Sequence, residues 1–157
     1  MEFRRAEDRD AADLLAWRND PATIASSLTG KGVAAADHYP WLARILADSG
    51  YILMIAEQAG ESLGMVRFDR DGDGSWEVGI NLNPAARGRG LALAILAGAI
   101  EAAFAGRPRP PLTAQVRQSN PASWKIFQRC GFEVDRIEDC VGVFHLAPSC
   151  RVKGLVP

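Results

Sequence analysis

Three cysteines and two histidines are all that the 157 residues offer for zinc or disulfide chemistry. Cys130, Cys140 and Cys150 are odd in number and widely spaced, no Cys-x-x-Cys occurs, and His38 and His145 lie far apart. This argues against a zinc site and against a disulfide framework, and leaves reduced thiols and no metal as the expectation. Neither sign of charge dominates. With 18 basic and 19 acidic residues the net charge is -1, so the chain as a whole has no pull toward nucleic acid or a membrane surface, and any anion site must be local. Long apolar runs are missing too. The longest, 91–105, is interrupted by Glu101 and falls short of the ~20 residues that a spanning helix needs. The first residues, MEFRRAEDRDAADLL, are charged and lack the apolar centre of a secretory signal. A cytoplasmic protein without membrane or nucleic-acid partners is the expectation.

What is present suits one domain over 1–157. Residues 2–6 can form a short strand. A helix is predicted over Asp8–Asn19 from the spacing of Ala11, Leu14, Leu15 and Arg18, with acids in its first turn. A short helical piece over 21–28 and a helix over 37–48 follow, the latter with Trp41, Leu42, Ile45 and Leu46 on one face. YILMIA (51–56) is continuously apolar, as a strand covered on both faces should be. A second strand, 62–69, follows an Ala59-Gly60 turn. SWEVGINL (75–82) alternates, with Trp76, Val78, Ile80 and Leu82 on one side. DRDGDG (69–74) resembles the opening of a calcium loop, but the twelfth position is Ile80 instead of a bidentate acid, so a hairpin turn is expected. A helix over 90–105, a strand over 112–117, a helix from Asn120-Pro121 to Cys130-Gly131 and one or two strands in 132–147 complete the chain.

The chemical signal is Arg87-Gly88-Arg89-Gly90 at the mouth of the most apolar helix. A helix N-terminus offers unpaired N–H groups and the positive end of a dipole, glycines admit a ligand close to the backbone, and two guanidiniums add charge. Together these make a seat for phosphate or pyrophosphate. Two other phosphate motifs fail. The dinucleotide fingerprint would need glycine where Leu93 stands and an acid near Arg109-Pro110, and no Gly-Lys-Ser/Thr ends a P-loop.

Arg87-x-x-Gly90-x-Ala92, between a strand and a helix, resembles the Gln/Arg-x-x-Gly-x-Gly/Ala signature of the GNAT superfamily of acyl-CoA-dependent N-acyltransferases. NPASWKIFQRCGF (120–132) resembles the family's second signature, an Asn followed by a short helix ending in Gly-Phe. The resemblance covers nearly the whole chain. It implies an α/β (α+β) fold with a mixed, mostly antiparallel central sheet and helices on both faces. It also implies acetyl-CoA as co-substrate, with the pantetheine arm along Ile80, Asn81 and Leu82, and the pyrophosphate on Arg87, Gly88, Arg89, Gly90, Leu91 and Ala92. Asn120 is placed beside the arm, and also suits a helix cap. Glu77 stands where many relatives carry a catalytic carboxylate, and an exposed strand acid is the competing account. Many members use a tyrosine in the second motif's helix to protonate the departing thiolate. Here the aligned residue is Phe127, so the acid comes from elsewhere or from water.

In the N-terminal third, Trp17-Arg18-Asn19 followed by His38 and Trp41 resembles members that acetylate nucleotide-linked amino sugars, and less tightly those that modify ribosomal protein N-termini. Trp can stack on a sugar or base, Arg18 can hold phosphate and His38 can bond hydroxyls. The same tryptophans stand at helical spacing from leucines, so a core role competes. The expected function is acetyl transfer from acetyl-CoA to a primary amine of a small molecule, first an amino-sugar nucleotide. A protein N-terminus or a small amine such as a polyamine is the alternative, and a catalytically silent acyl-CoA-binding module is the rival. A monomer and a homodimer both fit.

Overall fold

The computed structural model describes residues 1–155; the last two residues of the expected 1–157 domain lie outside them. Strands β1 (Glu2–Arg5), β2 (Tyr51–Gln58), β3 (Glu61–Arg70), β4 (Trp76–Leu82), β5 (Leu112–Arg117), β6 (Glu133–Glu138) and β7 (Val141–Leu146) form one sheet in the order β1-β2-β3-β4-β5-β7-β6. Among the described residues only β4 and β5 run parallel. The expected mixed, mostly antiparallel sheet is therefore observed.

Helices cover both faces. On one lie α4 (Ala92–Ala103) and α5 (Pro121–Cys130); on the other lie α1 (Ala11–Arg18) and α3 (Ala35–Ala47). The apolar run of β2 serves both. Ile52, Met54 and Ala56 pack toward α4, while Leu53 and Ile55 pack toward α1 and α3, because successive strand side chains point to opposite faces. Along α4, Leu96 and Ile100 are buried and Leu93 is half-buried, and Phe104 is buried at its C-terminal end. Gly98 lets α4 approach β1: a Cβ there would stand 2.3 Å from the Phe3 ring.

The first expected helix is split into a 3-10 turn at Asp8–Asp10 and α1. Arg4 of β1 explains the break, since its Nη1 and Nη2 donate to both carboxylate oxygens of Asp10 at 2.7 Å. A short helix α2 (Pro21–Ser26) is capped by Asp20. The acidic DRDGDG stretch forms the β3–β4 hairpin, where Asp73 bonds the Ser75 hydroxyl and N–H. The hairpin between β6 and β7 turns at Asp139-Cys140, both at positive φ.

Candidate active site

The sheet opens in its middle. β4 and β5 pair only at Trp76–Leu112 and Glu77–Thr113. Beyond Glu77 the two strands part, and the β5-facing backbone groups of Val78 to Leu82 have no strand partner there. A cleft of about 670 Å³ fills the gap, between the N-termini of α4 and α5. Ile80, Asn81 and Leu82 form its floor; Arg87, Gly88, Gly90, Leu91 and Ala92 form one wall; Asn120 and Ser123 stand opposite. Arg89 alone of the residues expected in this group lies off the cleft.

Local sequence explains the loop. Asn83 caps a 3-10 turn at Pro84–Ala86. Gly88 (φ 75°) and Gly90 (φ 73°) then adopt the left-handed region, which residues with a Cβ avoid. No side chain caps α4. The run of backbone N–H groups from Gly88 to Ala94 meets no backbone acceptor among the described residues. That is a cradle of unspent donors at the positive end of a helix, and it fits a pyrophosphate.

The guanidiniums do not contribute as expected. Arg87 pairs with Asp20 and donates from Nη2 to Thr23 Oγ1 at 2.7 Å. Arg89 pairs with Glu61 at 3.1 Å. Hydrogen bonding from Arg87 holds the Asp20 carboxyl below its usual value. Long side chains found carboxylates that are remote in sequence, so the positive character of the seat rests on backbone donors. Thr23 in turn donates to Asn81 Oδ1 at 3.2 Å, which ties α2 to β4 at the rim of the cleft.

Through the strand gap the cleft meets a second cavity of about 420 Å³ on the α1/α3 face. Ile80, Asn81, Asn120 and Ser123 line both. Glu77 lies in this second cavity, half-buried, with Gln115 Nε2 donating to its Oε2 at 3.0 Å. Its cross-strand neighbour is Asp69, which burial pushes above the usual carboxylate value although Arg67 Nε stands 2.9 Å away. A third cavity, about 310 Å³, continues inward and shares Arg18, Met65 and Arg67 with the second.

The N-terminal residues expected to bind substrate divide. Arg18, His38 and Trp41 line the third cavity; Trp17 and Asn19 do not. Trp17 is 6% exposed and belongs to the core with Leu14 and Leu42. Asn19 staples a loop, donating to Val33 O at 2.8 Å and accepting from Val33 N at 2.7 Å. His38 is buried and donates from Nε2 to Ala11 O at 2.9 Å, so its polar edge is spent on α1. Trp41 packs on His38 and carries Arg67 over its ring at 5.7 Å.

The model of the GNAT acetyltransferase domain family matches residues 1–133. The chain belongs to the GNAT family. It is an acetyl-CoA-dependent N-acetyltransferase that acts on amines. Solved structures share its fold. A spermidine N-acetyltransferase from Vibrio cholerae in complex with CoA and spermine matches with a TM-score of 0.78 and 16% identity over 92% of each chain. A point mutant of that enzyme matches at 0.79 and 18%, over 95% of this chain and 96% of the other. An uncharacterized protein from Bacillus halodurans matches at 0.74 and 17%, over 91% and 81%. A search of curated protein sequences finds no match.

In this GNAT domain the second helix motif is built as expected. Asn120 Oδ1 accepts from Ser123 N at 3.1 Å and caps α5, and Gly131 ends it at φ 109°. Phe127, in the place of the family's tyrosine, is 2% exposed and packs on Phe132 and Phe144. Its ring carries no proton to give. Sequence reasoning missed Ser123, which lies one helical turn before Phe127 and faces both cavities; the i, i+4 spacing was the available signal. It also missed Arg67, a charge set between the apolar Val66 and Phe68, where alternation alone places it opposite the core face. Burial pushes the Cys130 thiol up to about 12, while Cys140 and Cys150 are exposed. Among the described residues no acidic, Cys or His cluster is placed to hold a metal ion, and no helix is long and apolar enough to cross a membrane.

Proposed function

We propose that this domain acetylates the primary amine of a small molecule held in the cavity that opens onto Glu77. The observation that carries this is the parting of β4 from β5 beyond Glu77, which joins the donor cleft to that cavity. Acetyl-CoA supplies a thioester carbonyl as the acyl donor. The unpaired backbone of Val78 to Leu82 receives its extended arm as an added strand would be received, and the donors from Gly88 to Ala94 receive its phosphates. Glu77, held by Gln115, takes a proton from the acceptor ammonium so that the nitrogen lone pair is free. Ser123 is the hydroxyl of α5 that faces both cavities, and it takes over the proton-donor place that Phe127 cannot fill.

A small amine fits better than an amino-sugar nucleotide. Of the residues that carried the nucleotide reading, Trp17 is core, and Asn19 and His38 are committed to the backbone. The Vibrio cholerae neighbour bound to spermine takes a small amine as well. The test is release of free thiol from acetyl-CoA across a panel of amines, with thermal unfolding in acetyl-CoA, CoA and NAD run in parallel. Stabilisation by both CoA species but not NAD, with amine-dependent thiol release, is expected. Stabilisation without thiol release from any amine would favour the silent binding module.

A further inference from the structure

The two inner cavities together describe an acceptor. Arg18, Met65 and Arg67 line both, so they stand at the neck between them. On the outer side of the neck is Glu77. On the inner side the apolar walls are Leu14, Val33, Trp41 and Leu53, joined by His38 and Asp37. Both guanidiniums are held in place. Arg18 Nη2 donates to Lys31 O at 2.9 Å and Thr29 Oγ1 at 3.1 Å, while its Nη1 is buried and meets no partner among the described residues. Arg67 lies over the Trp41 ring, with its Nε beside Asp69. Along the sheet, Arg67 pairs with Gly79 while Glu77 is two residues away on the same strand. Such diagonal neighbours sit about 7–8 Å apart, a span that long side chains close readily. The acid that removes the proton and the cations at the neck thus face one small volume.

Arg18 and Arg67 are the two cations that line both cavities, and a carboxylate is the group whose geometry matches a guanidinium. We propose that the acceptor is an amino carboxylate with an apolar side chain: its amine at Glu77, its carboxylate between Arg18 and Arg67, and its side chain in the inner cavity. This rests on the acetyltransferase reading above and narrows its substrate class. A polyamine is disfavoured at the neck: its second ammonium would meet two guanidiniums against one acid, Asp69 beside Arg67, and the acid of the inner cavity, Asp37, is exposed. The inner cavity, about 310 Å³, is at the small end for ligand pockets and suits one side chain. In the reaction the acceptor nitrogen bonds to the acyl carbon and the carbon–sulfur bond breaks. Of the two protons the ammonium gives up, one leaves by Glu77 to solvent and the other is balanced by the thiol formed.

Matched pairs decide it: phenylalanine against 2-phenylethylamine, and leucine against 3-methylbutylamine, with spermidine as the polycation. Calorimetric binding, with and without CoA, is read beside thiol release from acetyl-CoA. Each acid is expected to bind at least tenfold tighter than its decarboxylated partner, and tighter than spermidine. The ratio should fall toward one in Arg18→Met and in Arg67→Met, and recover in part in Arg67→Lys. Equal or tighter binding of the plain amines or of spermidine overturns the proposal, as does a ratio that survives both Met variants, or no binding by either pair. Selective binding of the acids with no thiol release from any amine would uphold the carboxylate site and sink the acetyltransferase reading instead.

Discussion

Replacing Gly90 by alanine separates two roles of one loop. Gly90 has φ 73°, and a Cβ added there meets nothing within 4 Å. The substitution therefore creates no clash, only backbone strain. A residue with a Cβ in the left-handed region costs roughly 1–2 kcal/mol, and alanine regains about 0.4–1 kcal/mol by restricting the unfolded chain. The net loss is on the order of 1 kcal/mol, or roughly 2–4 °C in Tm for a chain of this size. Gly106 is the control. It has φ 74° and the same open surroundings, but lies past the far end of the 12-residue α4, ~18 Å away at 1.5 Å per residue. Acetyl-CoA at 100 times its dissociation constant should stabilise the wild type by about 2.7 kcal/mol. A methyl among the donors of the loop is expected to weaken that binding about tenfold, leaving about 1.4 kcal/mol at the same concentration. Scanning calorimetry with and without acetyl-CoA reads both quantities. The ligand-free Tm should fall alike in Gly90→Ala and Gly106→Ala, and the ligand shift should halve only in Gly90→Ala. A full shift in both variants would show that the phosphates are not seated on this loop; an equal loss in both would make the effect one of strain.

Glu77→Gln should lower kcat by about 100-fold or more, with acetyl-CoA binding and Tm unchanged; steady-state kinetics with near-normal kcat would remove Glu77 as the base. Ser123→Ala should slow turnover by about 100-fold without weakening acetyl-CoA binding, and a rate equal to wild type would return thiolate protonation to water. Asp10→Asn should cost about 2–3 kcal/mol in urea unfolding, less than a fully buried pair because Arg4 is partly exposed. Burial pushes the Asp10 carboxyl up, but hydrogen bonds from Arg4 and Glu7 N–H outweigh it and hold the value below its ordinary 3.8. That stability is present above the ordinary value and lost as pH falls through the lower folded one, so wild type and variant should converge only below about pH 4. Gly98→Ala drives a methyl into Phe3, 2.3 Å away, at about 1–3 kcal/mol, of which the helix preference of alanine returns about 1; trimming the ring in Gly98→Ala/Phe3→Leu should recover part of the loss.

Periodicity and local caps placed the elements, apart from the break in the first helix, which Arg4 makes from β1. The alternation of 75–82, the apolar run of 51–56, and Asn120-Pro121 with Gly131 around α5 all encode structure within a few residues of themselves, and the observed elements follow them. The glycines at 88 and 90 marked an open backbone before a helix for the same reason, and the structure puts both in the left-handed region. Side chains whose partners lie far along the chain were not readable. Arg87 looked like a phosphate ligand, yet Asp20 and Thr23 hold it. Trp17 and Trp41 share one sequence pattern, but one is core and the other lines a cavity. Arg67 carried no motif at all.

By itself the sequence determined the order of helices and strands, the donor loop at Gly88 to Ala92 and the two family motifs, because each depends on backbone conformation over short spans. Only the tertiary structure decided how far β4 parts from β5, which arginines are already paired, and that Arg18 and Arg67 line the same two cavities, the outer of which holds Glu77. Those are outcomes of how distant elements pack together, and no local pattern records where two distant side chains will lie.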